Sequence, residues 1–201
     1  MIAIIDYGAG NIKSLQFALT KVGLDSQLTT VPDIIKQSNG VILPGVGAFR
    51  DAINTLNDLE LTDALKEVAA NGKPLLGICL GMQLLYEKSY EDGKWNGLGL
   101  LHGKSGRIDA SVKVPHMGWN TLAHHNRSSL LGRIPENSYV YFVHSYAVKS
   151  YNSEHLVSST DYGGTIPAIV QKDNLIGMQF HPEKSGAVGL QLLQNFGAML
   201  S

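Results

Sequence analysis

A chain of 201 residues with 44% hydrophobic residues can bury one substantial core and is short for two, which predicts a single domain over 1–201. The formal net charge is −1 and charged residues make up 16%, with no long run of one sign, so no electrostatic footprint for nucleic acid is present. The single cysteine excludes an internal disulfide, and no apolar run approaches the roughly eighteen residues needed to cross a bilayer; a cytoplasmic protein without membrane contact is expected.

Ile2 to Ile5 reads as a buried strand that leaves the sheet through Asp6 and the loop Tyr7-Gly8-Ala9-Gly10-Asn11. Ile12, Leu15, Ala18, Leu19 and Val22 then share one helical face, with Gly23 placed as a C-cap. The unit recurs as a weaker strand near Ser26 to Thr30, a short helix from Asp33 and a strand Gly40 to Leu43. Helical spacing follows at Phe49, Ala52, Ile53 and Leu56, and Leu61, Ala64, Leu65 and Val68 are expected to continue it. The strand Leu75 to Ile78 delivers Cys79 to a helix-like stretch from Met82 to Glu87. This alternation predicts an α/β fold, doubly wound, with a mostly parallel central sheet. Past Gly93, β-rich runs near Leu98 to Leu101, Trp119 to Leu122, Tyr139 to Val143, Leu156 to Thr160 and Ile166 to Gln171 predict antiparallel additions. A closing helix is expected from about Ala187 to Leu200, with Leu192, Leu193, Phe196 and Met199 inward.

Cys79 lies in Gly77-Ile78-Cys79-Leu80-Gly81, between a strand and a helix. A sharp strand-to-helix turn lifts the central side chain out of the sheet edge, and flanking glycines relieve the crowding. Such a cysteine is expected to face solvent and substrate, and the first N–H groups of the next helix favour a thiolate and can hold an oxyanion. His181-Pro182-Glu183, after the apolar run Leu175 to Phe180, supplies a base and a carboxylate to orient it. Pro44-Gly45-Val46-Gly47 follows another strand and could supply a second oxyanion donor, or be an ordinary turn. Gly8-Ala9-Gly10-Asn11 lacks both the dinucleotide and the P-loop pattern, and His116, His124 and His125 lack zinc-ligand spacing. Neither a cofactor nor a metal is expected. His144-Ser145-Tyr146 puts polar groups at a strand end, although a lone loop histidine is usually structural.

These motifs together resemble the class I, or triad, glutamine amidotransferases over essentially the whole chain, with Gly77 to Gln83 as the nucleophile motif and His181-Pro182-Glu183 as its partner. Within that family, Asp6 to Asn11, Pro115-His116-Met117-Gly118-Trp119-Asn120 and His181 to Ser185 resemble the glutaminase branch that serves imidazole glycerol phosphate synthesis. The resemblance implies a flavodoxin-like three-layer sandwich and a heterodimer with a (β/α)8 cyclase subunit in histidine biosynthesis. Glutamine would be hydrolysed through a Cys79 thioester, with catalytic Cys79, His181 and Glu183 and an oxyanion hole from Val46, Gly47 and Leu80. Gly45, Gln83, Glu91, His144, Ser145 and Tyr146 would hold glutamine; Asn11, Trp119, Tyr141 and Lys184 would face the partner. The Val46-Gly47 peptide is the candidate switch for partner-dependent activity. Ser145 stands where a related pattern has threonine, which questions a side-chain contact there. A glutaminase of another pathway, a cysteine hydrolase with a different acyl substrate and a noncatalytic protein of the same fold remain alternatives.

Overall fold

The computed structural model describes residues 1–200. Its first half runs β1 (Ile2–Ile5), α1 (Ile12–Lys21), β2 (Ser26–Thr29), α2 (Pro32–Gln37), β3 (Gly40–Leu43), α3 (Phe49–Asp58), α4 (Leu61–Ala70), β4 (Leu75–Ile78) and α5 (Leu80–Leu84). The second half runs β5 (Tyr86–Ser89), β6 (Trp95–Asn96), β7 (Leu101–Arg107), β8 (His116–Thr121), β9 (Ala123–His124), β10 (Tyr139–His144), β11 (Tyr146–Ser150), β12 (Leu156–Asp161), β13 (Thr165–Lys172), β14 (Leu175–Met178) and α6 (Gly186–Gly197).

The main sheet has the order β2-β1-β3-β4-β14-β13-β12-β9. Strands β2, β1, β3, β4 and β14 pair in parallel, and β13, β12 and β9 extend the sheet antiparallel. Alternation along buried strands divides the core into two layers. Ala3, Ile5, Val41, Leu43 and Leu75 pack with α2, α3 and α4, while Ile2, Ile4, Ile42, Leu76 and Ile78 pack with α1 and α6. The architecture is therefore the expected α/β sandwich of three layers.

Some of the antiparallel additions leave the main sheet. β11-β7-β5-β6 form a small sheet of their own, and β8 and β10 form a two-stranded ribbon. The helix expected to run from Phe49 through Val68 is broken, because Glu60 adopts a left-handed conformation (φ 56°) between α3 and α4. The helix expected over Met82 to Glu87 ends at Leu84, and the strand expected over Leu98 to Leu101 begins only at Leu101. Tyr86–Ser89 leaves the helix to pair with β6 and β7. The N–H groups of Leu98, Leu100 and Leu101 donate at 2.8–2.9 Å to the carbonyls of Leu84 and Leu85, satisfying the end of the short helix and holding 98–100 outside a strand.

In open α/β sheets the crevice lies beyond the carboxyl ends of the strands. Here β3 runs out into Pro44, β4 into Cys79 and β14 toward His181, three neighbouring strand ends that converge.

Candidate active site

Cys79 takes φ 54° and ψ −110°, a backbone conformation a side chain seldom adopts. Such strain costs on the order of 1–3 kcal/mol and persists only where the surroundings enforce it. The enforcement is steric and hydrogen-bonded. A Cβ at Gly81 would collide with the Leu43 carbonyl, and one at Gly77 would sit 2.6 Å from the Gly81 carbonyl oxygen. The chain can turn this tightly only with glycine at both places. The Cys79 N–H donates to Met178 O at 2.7 Å, keeping the residue stitched to β14 through the turn.

The expectation that Cys79 faces solvent needs correction: it is only 6% exposed. It lies at the floor of a cleft of about 320 Å³ whose lining includes Val46, Gly47, Leu80, Gln83 and Glu91 on one side and Val143, His144, Ser145 and Tyr146 on the other. Burial shields the sulfur from bulk water while leaving it open to a molecule in the cleft. Sγ lies 3.8 Å from Val143 O and 3.8 Å from the Gln179 side-chain amide nitrogen.

His181 is held through both ends of its peptide. Its N–H donates to Tyr141 O at 3.0 Å, and its carbonyl accepts from the Ser185 hydroxyl at 2.7 Å. The same hydroxyl oxygen accepts from Tyr141 N–H at 3.0 Å, so Ser185 ties the histidine to β10. Nδ1 lies 2.8 Å from Glu183 Oε1, both side chains being almost fully buried. Nε2 is buried with no hydrogen-bond partner of ordinary geometry, yet Cys79 is close enough to act on it. Burial alone lowers the pKa of the ring; Cys79 and Glu183 more than offset it and push it up to about 10. With Nδ1 engaged by the carboxylate, Nε2 is the ring nitrogen left for Cys79.

The backbone groups expected to form an oxyanion hole are only partly free. Leu80 N–H donates to Gly45 O at 3.4 Å, while Val46 is exposed and Gly47 has φ +99°. Gly45 itself does not line the cleft. It borders a narrow cavity behind, with Asn11, His181 and Glu183, and a Cβ there would collide with the Tyr7 hydroxyl. Tyr7 Oη donates to Pro44 O at 2.6 Å. Burial, reinforced by Cys79, raises the pKa of that phenol and keeps it a donor.

Gln83 Nε2 donates to Tyr146 O at 2.9 Å and to Gln179 Oε1 at 3.1 Å. Glu91 Oε2 accepts from Phe49 N–H at 3.1 Å, and burial raises the pKa of this carboxyl against that bond. The His144 ring turns from the cleft toward His116, with Nδ1–H donating to Tyr146 O at 2.8 Å and Nε2 accepting from His116 Nδ1–H at 3.0 Å. His116 stacks between Phe142 and Tyr162. Its role is thus structural, and it supports the cleft from behind.

Trp119 and Tyr141 are directly paired across β8 and β10, with rings edge to face at 5.8 Å. Met117, at 61% exposure, extends the outer face of this ribbon beside Trp119 at 55%. The turn Pro182–Lys184 packs against both α1 and β10.

Sequence reasoning missed Gln179, Ser185 and Tyr7. Gln179 carried a usable signal: it is a polar residue inside the apolar run Leu175 to Phe180, two positions before His181 and on its side of an extended segment. Ser185 and Tyr7 act through backbone carbonyls and left no comparable mark.

The family model for glutamine amidotransferase class-I matches residues 3–199. The chain is similar to the imidazole glycerol phosphate synthase subunit HisH of Oceanobacillus iheyensis, with 59% identity over 100% of both chains. It is 47% identical to the subunit of the same name from Bacillus subtilis, over 99% of this chain and 96% of the relative. Among solved structures, a glutamine amidotransferase superposes with a TM-score of 0.77 at 16% identity, covering 98% of this chain and 100% of the other. PurLQS from Thermotoga maritima superposes with a TM-score of 0.78 at 19% identity, covering 98% and 97%. At those identities the structural likeness concerns the fold alone. No helix among the described residues is long and apolar enough to cross a membrane.

Proposed function

The chain belongs to the class-I glutamine amidotransferase family, and from that membership we propose that it is the glutaminase subunit of an imidazole glycerol phosphate synthase, working as one domain. It hydrolyses glutamine to glutamate and ammonia and passes the ammonia to a cyclase subunit of (β/α)8 fold in the cytoplasm, within histidine biosynthesis. The observation that carries the chemistry is the strained Cys79 turn set against the 2.8 Å His181–Glu183 pair at the floor of the cleft.

The Cys79 thiolate attacks the side-chain amide carbon of glutamine, forming the C–S bond and moving the carbonyl electrons onto oxygen. His181 Nε2–H protonates the departing nitrogen, the C–N bond breaks and ammonia leaves. The ring, now neutral, takes a proton from water as that water attacks the γ-glutamyl thioester. The C–S bond breaks, releasing glutamate and restoring thiolate and imidazolium. Glu183 keeps the imidazolium charged and its tautomer fixed.

Two donors are needed on the oxyanion, each worth about 3 kcal/mol. Leu80 N–H is engaged by Gly45 O, which makes the Gly45-Val46 peptide, rather than the Val46-Gly47 peptide, the better candidate switch. Rotating it would remove the carbonyl, free Leu80 N–H and aim Val46 N–H at the same point. Partner binding through Asn11, Trp119, Tyr141 and Lys184 would favour the rotated form. Gln83, Glu91 and the His144-Ser145-Tyr146 segment grip the amino acid end of glutamine, Glu91 through the carboxylate oxygen not bound to Phe49.

Ammonia release from glutamine, measured alone and with a cyclase subunit plus its ligand, tests the proposal. Turnover that rises on adding both supports it; turnover of another amide or ester in place of glutamine refutes it.

A further inference from the structure

We propose that Gln179 is a positioning residue for the nucleophile: its side-chain amide couples the sulfur of Cys79 to the glutamine-binding side chain of Gln83. The inference rests on Cys79 being the nucleophile.

Gln179 is wholly buried, between β14 and His181. A buried amide must place two N–H donors and one carbonyl acceptor, and the neighbours decide which way it faces. That orientation follows from a chain of constraints. Tyr146 O is an acceptor only, so the Gln83 group 2.9 Å from it is the NH2. The Gln179 atom 3.1 Å from that NH2 is then its carbonyl oxygen. The Gln179 NH2 is left facing Sγ at 3.8 Å. Flipping Gln83 would set acceptor against acceptor at Tyr146 O, and flipping Gln179 would set its NH2 against that of Gln83.

The sulfur therefore sits between two unlike groups. Val143 O, 3.8 Å away, can accept from the S–H of a neutral thiol but repels a thiolate. The Gln179 N–H is a weak partner for a thiol and a strong one for a thiolate. Ionisation moves the favourable contact from Val143 to Gln179, which holds the reactive form where the cleft and His181 need it. Through the same amide, Gln83 spends both N–H groups on protein and keeps its carbonyl oxygen to offer to the amino acid end of the substrate.

Cys79 is the only cysteine, so the pH dependence of iodoacetamide alkylation reads it without ambiguity. Near-isosteric Gln179→Met removes donor and acceptor; the alkylation midpoint rises by about one pH unit, and kcat falls while KM for glutamine rises. Gln179→Glu keeps an acceptor for Gln83 but no amide donor for sulfur; its midpoint rises too, with KM near the original. A folded variant with the original midpoint overturns the proposal. In the unmodified protein, the side-chain amide protons of Gln179 shift in nitrogen–proton spectra through the midpoint of Cys79 alkylation; a flat trace overturns it even if neither variant folds. Failure of the glutaminase reading looks different, as glutamine turnover that survives Cys79→Ala.

Discussion

The Gly45 carbonyl and the Leu80 N–H face each other at 3.4 Å, so the backbone donor next to Cys79 is occupied by the strand that, on our proposal, completes the oxyanion hole. The bond is long, and one peptide rotation undoes it. Tyr7 holds the adjacent Pro44 carbonyl through a 2.6 Å bond, which on this account restrains that rotation.

Loosening the strap should raise unassisted turnover. Tyr7→Phe deletes the bond and leaves a buried carbonyl without its donor, costing about 1–3 kcal/mol of stability. Ammonia release without the partner is expected to rise a few-fold, and the stimulation by the partner to shrink. Unchanged basal turnover in a folded variant would mean that Tyr7 does not restrain the strand.

Ser185→Ala removes the hydroxyl joining the His181 carbonyl to the Tyr141 N–H. Destabilisation of about 1–2 kcal/mol follows from two lost hydrogen bonds. Because the ring is then less well held against Cys79, kcat should drop by about tenfold with KM nearly unchanged. Because an unfolded fraction also lowers apparent kcat without moving KM, the rate is normalised to the folded fraction measured by circular dichroism; a rate per folded molecule equal to the original would remove Ser185 from the positioning of the ring.

Glu183→Gln keeps an acceptor near Nδ1 but takes away its charge. The His181 pKa, about 10 with Cys79 and Glu183 both offsetting burial, must fall. Protonation of the leaving nitrogen needs the imidazolium, so the alkaline limb of kcat moves to lower pH. The rate itself should drop roughly 10- to 100-fold, a share of what a positioned acid–base group contributes. A limb that stays in place would detach Glu183 from the charge of the ring.

Acid should weaken the fold through His116 and His144. Burial lowers their pKa values to about 4 and about 3, below the ordinary 6.5 of the unfolded chain. Between about pH 6.5 and 4 the unfolded state therefore binds more protons, so stability falls as pH falls through that window. Their mutual bond and the Tyr146 carbonyl make this an acid sensitivity of the cleft wall as well. Melting temperatures across the window check it, and His116→Phe should flatten the slope.

The parallel core was legible because buried strands and amphipathic helices leave strong periodic marks, as at Ile2–Ile5 and in the apolar face of α1. The break at Glu60 was not: Leu59 keeps the helical spacing after Leu56, and neither glycine nor proline marks the left-handed residue. The short α5 was not legible either, because it ends where Tyr86–Ser89 is taken up by strand pairing with distant β6 and β7. Cys79, His181 and Glu183 stood out by residue type. Gln179 was marked only by its polarity within an apolar run, and Ser185 not at all, since a hydroxyl becomes informative only once its partners are known.

The most direct test follows nitrogen. Glutamine labelled with nitrogen-15 in its amide is supplied to the chain together with a cyclase subunit and its ribosyl substrate, and the imidazole product is examined by mass spectrometry. Label should enter the imidazole ring, vanish with Cys79→Ala, and be replaced by unlabelled product when free ammonium is supplied to that variant. Labelled imidazole formed by Cys79→Ala would contradict the account.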